Sequence, residues 1–360
     1  MLRLEPRRSP SRTMLYLTPF IAVALTMLAS LILFGLLGKD PFEAIRTVFF
    51  EPLTTRSGLS ELTVKASPLV MIAIGLSFGF RAGIWNIGAE GQYTMGALAG
   101  GAVALAVYPA EGPWLLPLMC VAGILGGIAW AAIPAFLRAR LGTSEILVSL
   151  MLVYVATQLL GALVHGPLRD PDGMNFPESR LFQSSAMLPL LFSGLRTHIG
   201  VLVALATVAI AWILLGRHIV GFQVKVLGQA PQAARFAGYS EQRLIWLCFI
   251  VSGGLAGLAG LFEAVGPVGQ LVPAIPVGYG FTAIIVAFLG RLNPIGILLA
   301  GYLMALTYLG GEAAQIAMSL PSAATSVFQG MLLFFLLASD VLVNYRVRLG
   351  APRAQLATGG

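Results

Sequence analysis

Apolar runs of near membrane-spanning length recur along the whole chain, and this recurrence restricts the fold more than any other feature. Hydrocarbon offers no partner to a backbone N–H or C=O, so each spanning segment must close its hydrogen bonds internally, as a helix. About ten such segments can be drawn, each to be compared with the roughly 20 residues that cross a bilayer. They are Leu15–Leu37, Leu62–Gly79, Gln92–Tyr108, Trp114–Leu137, Ser144–Val164, Ile199–Leu215, Leu244–Glu263, Gly280–Gly290, Pro294–Gly310 and Thr325–Val343. The eighth is too short to cross alone, so it is a half-helix or continues the segment before it. Hydrophobic residues make up 58% of the chain and charged residues 10%, whereas a soluble domain carries about 25% charged residues. The expected fold class is an all-α polytopic membrane protein. The first apolar run is too long for a secretory signal and no small-x-small cleavage site follows it, so it reads as a retained span.

Basic residues set the expected orientation. One alternating set of connections holds Arg3, Arg7, Arg8, Arg12, Arg81, Arg138, Arg140, Arg217, Lys225, Arg235, Arg243, Arg291, Arg346, Arg348 and Arg353. The other holds only Lys39, Arg46, Arg56, Lys65, Arg169, Arg180 and Arg196, together with most of the acids. Both termini are therefore expected in the cytoplasm. A basic N-terminal segment 1–14 precedes the transmembrane domain 15–343, and a tail 344–360 follows it. Connection 165–198 is expected outside and connection 217–243 inside. This sidedness accounts for the net charge of +7 without a nucleic-acid partner.

Several chemistries find no support. No G-x-x-x-x-G-K-[ST] phosphate loop is present, and the only Gly-Lys pair, Gly38-Lys39, lacks its spacing. His165, His198 and His218 are far apart, and Cys120 and Cys248 fall inside spans, so neither a metal nor a catalytic residue is assigned. The run SGGLAGLAG (Ser252–Gly260) lies in mid-membrane with no strand before it. Its Ser252, Ala256 and Gly260, with Gly253 and Gly257, are read as a face for close helix packing.

Two interruptions carry the functional reading. The first is FRAGIWNIGAEGQ, residues 80–92. Glu90 in hydrocarbon costs a few kcal/mol unless it faces protein or water. A helix starting near Asn86 would place Asn86, Glu90 and Tyr93 or Thr94 on one face, with Gln92 about 200° from Glu90. Discontinuous helices with polar groups at their ends are where transporters build sites, so Trp85, Asn86, Glu90 and Tyr93 are candidates for a solute pathway. The plainer alternative is that Asn86 caps the helix and Glu90 satisfies its first-turn amides. Both readings stand. The second interruption, AVGPVGQLVPAIPVGYG (264–280), has Pro267, Pro273 and Pro276 in a glycine-rich setting that no straight helix survives. It reads as the partner break of a midplane site or as a re-entrant plug. In the 217–243 connection, GQAPQAARFAGYS (228–240) contains a short helix signal, with Pro231 suited to the first turn and Gly238 to the stop.

WNIGAEGQ (Trp85–Gln92), GTSEILVSLMLVY (Gly142–Tyr154), GPLRDPDGMNFPES (Gly166–Ser179), the 228–240 loop, SGGLAGLAG and GYGFTAIIVAFLGRLNPIG (Gly278–Gly296) occur in this order. From about residue 60 to 345 the chain resembles permease subunits of bacterial ABC importers of the branched-chain amino acid, ribose and nucleoside group. The likeness is greatest to the simple-sugar/nucleoside branch, which typically carries N-I-G-A-E-G-Q. The resemblance implies a type II importer permease fold in the bacterial plasma membrane. It implies a second permease, identical or homologous, and an extracytoplasmic substrate-binding protein or lipoprotein. It also implies two ABC ATPase subunits that hold ATP and Mg, leaving this chain no cofactor of its own. Pro231, Ala233, Ala234, Arg235, Phe236 and Gly238 match the family's coupling helix, which seats on the ATPase. Val153 departs from the family's M-L-N-Y wording, which puts a usual nucleoside contact in doubt. Glu145 matches an acidic family position and also suits a helix N-terminus after Thr143. The implied function is inward movement of a small polar solute by alternating access, nucleosides before simple sugars and branched-chain amino acids. A secondary transporter or channel, the alternative from another class, would want more ionisable groups in the membrane than Glu90, Glu263 and Asp340.

Overall fold

The computed structural model describes residues 2–7 and 11–349. Arg8 of the basic N-terminal segment and Arg353 of the tail lie outside the described residues. In chain order the helices are α1 (Arg12–Leu36), α2 (Pro41–Ile45), α3 (Glu51–Thr54), α4 (Arg56–Arg81), α5 (Ala89–Ala106), α6 (Leu115–Leu141) and α7 (Glu145–His165). Then follow α8 (Gly200–Arg217), α9 (Ile219–Gln229), α10 (Pro231–Phe236), α11 (Glu241–Glu263), α12 (Tyr279–Leu289), α13 (Pro294–Met318) and α14 (Ser322–Asn344). Eight helices among the described residues are long and apolar enough to cross a membrane. Helix α5 is not one of them, because Glu90, Gln92, Tyr93 and Thr94 make its first turns polar. Helix α12 is a short apolar element.

The chain divides into two compact units, Met1–Val48 with Gly311–Gly360, and Phe49–Gly310. In the first, α1 packs along α14. Ser11 caps α1 by accepting a hydrogen bond from the Met14 N–H at 3.3 Å. Strand β1 (Leu2–Pro6) pairs antiparallel with β2 (Tyr345–Leu349), so the described ends of the chain lie at one end of this unit. The ribbon is an addition to the all-α expectation.

The second unit holds both helix breaks. Its α4 is central: 89% of its spanning window is buried, against 22% in α6 and in α7. Helices α8, α11 and α12 pack on α4, while α6, α7 and α11 pack on α5. The outer helices leave large side chains such as Leu125, Met151 and Ile210 on the outside, where lipid tails are as apolar as they are.

Small residues decide how closely α11 can lie. A methyl group on Gly96 of α5 would run into the backbone of Gly257, and one on Gly253 would meet the Gly127 carbonyl of α6. Gly260 lies against the backbone of Tyr93, while Ser252 and Ala256 are buried. Without a hydrophobic driving force between helices in lipid, such backbone approach supplies the van der Waals contact that holds them.

Candidate solute pathway at two helix breaks

Helix α4 stops at Arg81, and Gly83 turns the chain with φ +74°. The exposed amides of the break are then met one at a time by side chains. The Trp85 N–H donates to Glu145 at 3.3 Å, the Ile87 N–H to Ser149 at 3.2 Å, and the Gly88 N–H to Asn86 Oδ1 at 3.0 Å. Asn86 Nδ2 donates to Gln92 Oε1 at 2.9 Å and to Ser252 Oγ at 2.7 Å, and Gln92 Nε2 returns a hydrogen bond to Asn86 Oδ1 at 3.1 Å. All three side chains are buried, so this knot satisfies polar groups that would be costly left alone.

The geometry differs from a common Asn86–Glu90 face. The helix begins at Ala89, so Asn86 lies in the turn outside it, free to reach forward to Gln92 and across to α11. Ser252 thus has a polar role besides close packing. Glu90 does not serve the amides of its own helix. Its Oε1 accepts from the Gly278 N–H at 2.7 Å and its Oε2 from the Gly280 N–H at 2.5 Å. A carboxylate in the first turn of α5 therefore caps the start of α12, where the helix dipole favours negative charge. The backbones touch here as well, since a methyl on Gly280 would collide with Glu90.

Trp85 is exposed and apart from that junction, packed with Phe80 and Phe288 at centroid distances of 5.1 and 5.7 Å. Tyr93 is fully buried, edge-to-face with Tyr279 at 6.1 Å, and Tyr279 meets Tyr308 similarly at 5.3 Å. Val153, the departure from the family wording, is buried against Gly91. Glu145 also pairs with Arg138 at 3.4 Å, tying the end of α6 to the start of α7 and to the break.

The second break starts as a π turn, Ala264–Val268, and continues without helix to α12. Backbone groups of the 165–198 connection run alongside it. The Ser179, Phe182 and Leu188 N–H groups donate to the carbonyls of Leu271 at 2.9 Å, Gly269 at 2.9 Å and Val265 at 3.0 Å. Leu271 is buried against Gly101 of α5. Arg196 donates to the Pro267 carbonyl at 3.0 Å and pairs with Glu61 at 3.2 Å. Next to it His198 is buried, its Nδ1 accepting from the Gly200 N–H at 3.2 Å. Burial and the charge of Arg196 lower its pKa to about 4.

On the opposite flank, α10 carries the residues of the 228–240 motif. Phe236 is 92% exposed, Ala233 is exposed and Arg235 pairs with Glu241 at 2.8 Å. Ala234 is buried within the chain, and Gly238 turns at φ +79°. The preceding α9 ends against the first break: a methyl on Gly228 would strike the Arg81 carbonyl, and Gly83 lies beside Gly228.

Eight membrane-length apolar helices among the described residues, with two breaks meeting at one buried carboxylate, define the class as a multi-pass membrane protein. Sequence comparison narrows the class: the chain belongs to the family described as branched-chain amino acid transport system / permease component, whose model matches residues 58–337. It is an ABC transporter permease. It is 37% identical to the glucose ABC transporter permease protein TsgB13 of Haloferax volcanii over 100% of this chain and 98% of that one. Identity is 26% to the nucleoside ABC transporter permease protein NupB of Lactococcus lactis, covering 96% of this chain and 95% of the relative. It is 27% to the guanosine ABC transporter permease protein NupP of Bacillus subtilis, covering 90% and 93%.

Proposed function

We propose that this chain is the pathway-forming permease of an ATP-driven importer, seated in the bacterial plasma membrane with both termini cytoplasmic. It moves a small solute bearing a sugar ring, a simple sugar or a nucleoside, as its glucose, nucleoside and guanosine relatives suggest. Two ATPase subunits bind ATP and Mg and hydrolyse it, a second permease completes the pathway, and an extracytoplasmic binding protein delivers the solute. The pathway runs by the junction of α5 and α12, with Tyr93 facing it and Glu90 and Asn86 holding its walls.

One observation carries the coupling reading. The short helix α10 presents Phe236 almost fully exposed, and the helix before it abuts Arg81–Gly83, the chain that enters the pathway break. An exposed aromatic anchor suits a pocket on a partner. A push on α10 would reach the break through α9. Alternating access follows if ATP-driven closure of the ATPases moves α9 and α10, and with them the α5–α12 junction.

The test is co-purification with the cognate ATPases and ATP-driven uptake in proteoliposomes. Phe236→Ala should lower both by about thirtyfold, the loss at a binding hot spot of about 2 kcal/mol, without changing the melting temperature of the isolated permease. Unchanged ATPase recovery and uptake would refute the docking assignment. Ala234 is unsuited to this purpose, because a bulky charge there would disrupt α10 itself.

A further inference from the structure

Oxygen-bearing side chains converge beside the α5–α12 junction from α5, α12 and α13. Both oxygens of Glu90 are occupied by the Gly278 and Gly280 amides. Thr282 and Tyr308 hydrogen-bond each other at 2.8 Å. The Tyr93 hydroxyl, by contrast, is buried and makes no hydrogen bond. A phenol oxygen withheld from water and given no partner is costly, and packing gains nothing from it, because phenylalanine would fill the same space.

We infer that the Tyr93 hydroxyl is a specificity-determining contact, kept for one ring hydroxyl of the sugar moiety of the transported solute. The inference rests on the importer reading above and gives that site its substrate chemistry. A phenol both donates and accepts, which matches an alcohol. The Tyr279 ring beside it offers the apolar surface that a sugar's C–H face needs, and one polar group among aromatic walls is how small-molecule sites fix orientation. Tyr93 lies on α5 and Tyr279 on α12, so parting the two helices at the Glu90 junction is the motion that uncovers the hydroxyl.

The complete transporter, with its ATPases and loaded binding protein, is reconstituted in proteoliposomes. Uptake at saturating binding protein is measured for radiolabelled glucose and guanosine and for their monodeoxy analogues. Wild type should move the parent of one of the two series, and one of its analogues about tenfold more slowly, the worth of one hydrogen bond. Tyr93→Phe should move that parent about as slowly as wild type moves this analogue, and should no longer distinguish the two. Its melting temperature should equal or exceed that of wild type, since no hydrogen bond within the protein is lost. Wild-type discrimination retained in Tyr93→Phe overturns the inference, whether the overall rates are unchanged or all fall alike. Failure of wild type to take up either parent with ATP sinks the importer reading as well, and is seen before any variant is compared.

Discussion

The break at 82–88 is tied to side chains of the bundle's own helices, whereas the break at 264–278 is tied to backbone and side-chain groups of a connecting loop. In the first, Asn86, Gln92, Ser252, Ser149 and Glu145 each take part in buried or half-buried hydrogen bonds. In the second, the Ser179, Phe182 and Leu188 N–H groups donate to the Leu271, Gly269 and Val265 carbonyls, while the side chains of Glu178, Ser179 and Arg196 bond Gln270, the Leu271 N–H and the Pro267 carbonyl. A buried side-chain knot has little freedom, because each lost partner strands another polar group. A loop-backed segment can move together with its loop, keeping its hydrogen bonds. The contrast leads to the expectation that the α12 side of the junction yields before the α5 side, with the Glu90 hydrogen bonds as the latch between them.

The largest expected effect falls on the latch. Glu90→Ala removes both acceptors from buried amides at the start of α12 and should cost about 3 kcal/mol. Thermal unfolding of the purified permease should shift down by several degrees and uptake should fall at least tenfold. Glu90→Gln, which keeps one acceptor and no charge, should lie between. A Glu90→Ala protein that melts and transports like wild type would show that α12 is held by something else.

Next comes the α5 side of the junction. Asn86→Ala strands Gln92 and Ser252 and should cost about 2 kcal/mol, while Ser252→Ala should cost about 1 kcal/mol. The double variant should lose clearly less than the sum of the two, because both remove the same hydrogen bond. Strict additivity in denaturation midpoints would dissolve the knot as a unit.

The smallest effect concerns the outer loop and is read by pH. His198 has a folded pKa of about 4, lowered from 6.5 by burial and by Arg196. Above pH 6.5 the ring is neutral folded or unfolded, and its titration contributes nothing. As pH falls from 6.5 towards 4, the unfolded or detached state gains a proton that the folded site refuses, so stability declines across that window. Amide exchange at Leu188 and Ile199 should quicken relative to the intrinsic rate as pH drops, while Gly88 in the inner knot stays protected. His198→Gln should flatten the response. Equal pH sensitivity of both breaks would erase the distinction drawn between them.

The membrane class, the family and the positions of both breaks were legible in the chain, because hydropathy and glycine or proline content are local properties. The short helix at Pro231–Phe236 was legible for the same reason. The partners inside the site were not. Placing Asn86 and Glu90 on one helical face assumed a start near Asn86. Three residues of difference put Asn86 in a turn, where it meets Gln92 rather than Glu90. A helical wheel points Gln92 away from Glu90, but it describes directions along one helix and says nothing of a turn folding back on it. Ala234 matched the motif, yet its side chain faces inward, a matter of how α10 seats against the chain.

Composition and pattern alone dictate a bundle of apolar helices interrupted twice, since lipid enforces helical hydrogen bonding wherever the chain is apolar. They also require that Glu90 find a partner, because a carboxylate cannot lie bare in that setting. Which partner it finds depended on tertiary structure. The Gly278 and Gly280 amides come from 188 and 190 positions away. They reach Glu90 only because small residues let the helices close to backbone contact, a distance no local pattern encodes.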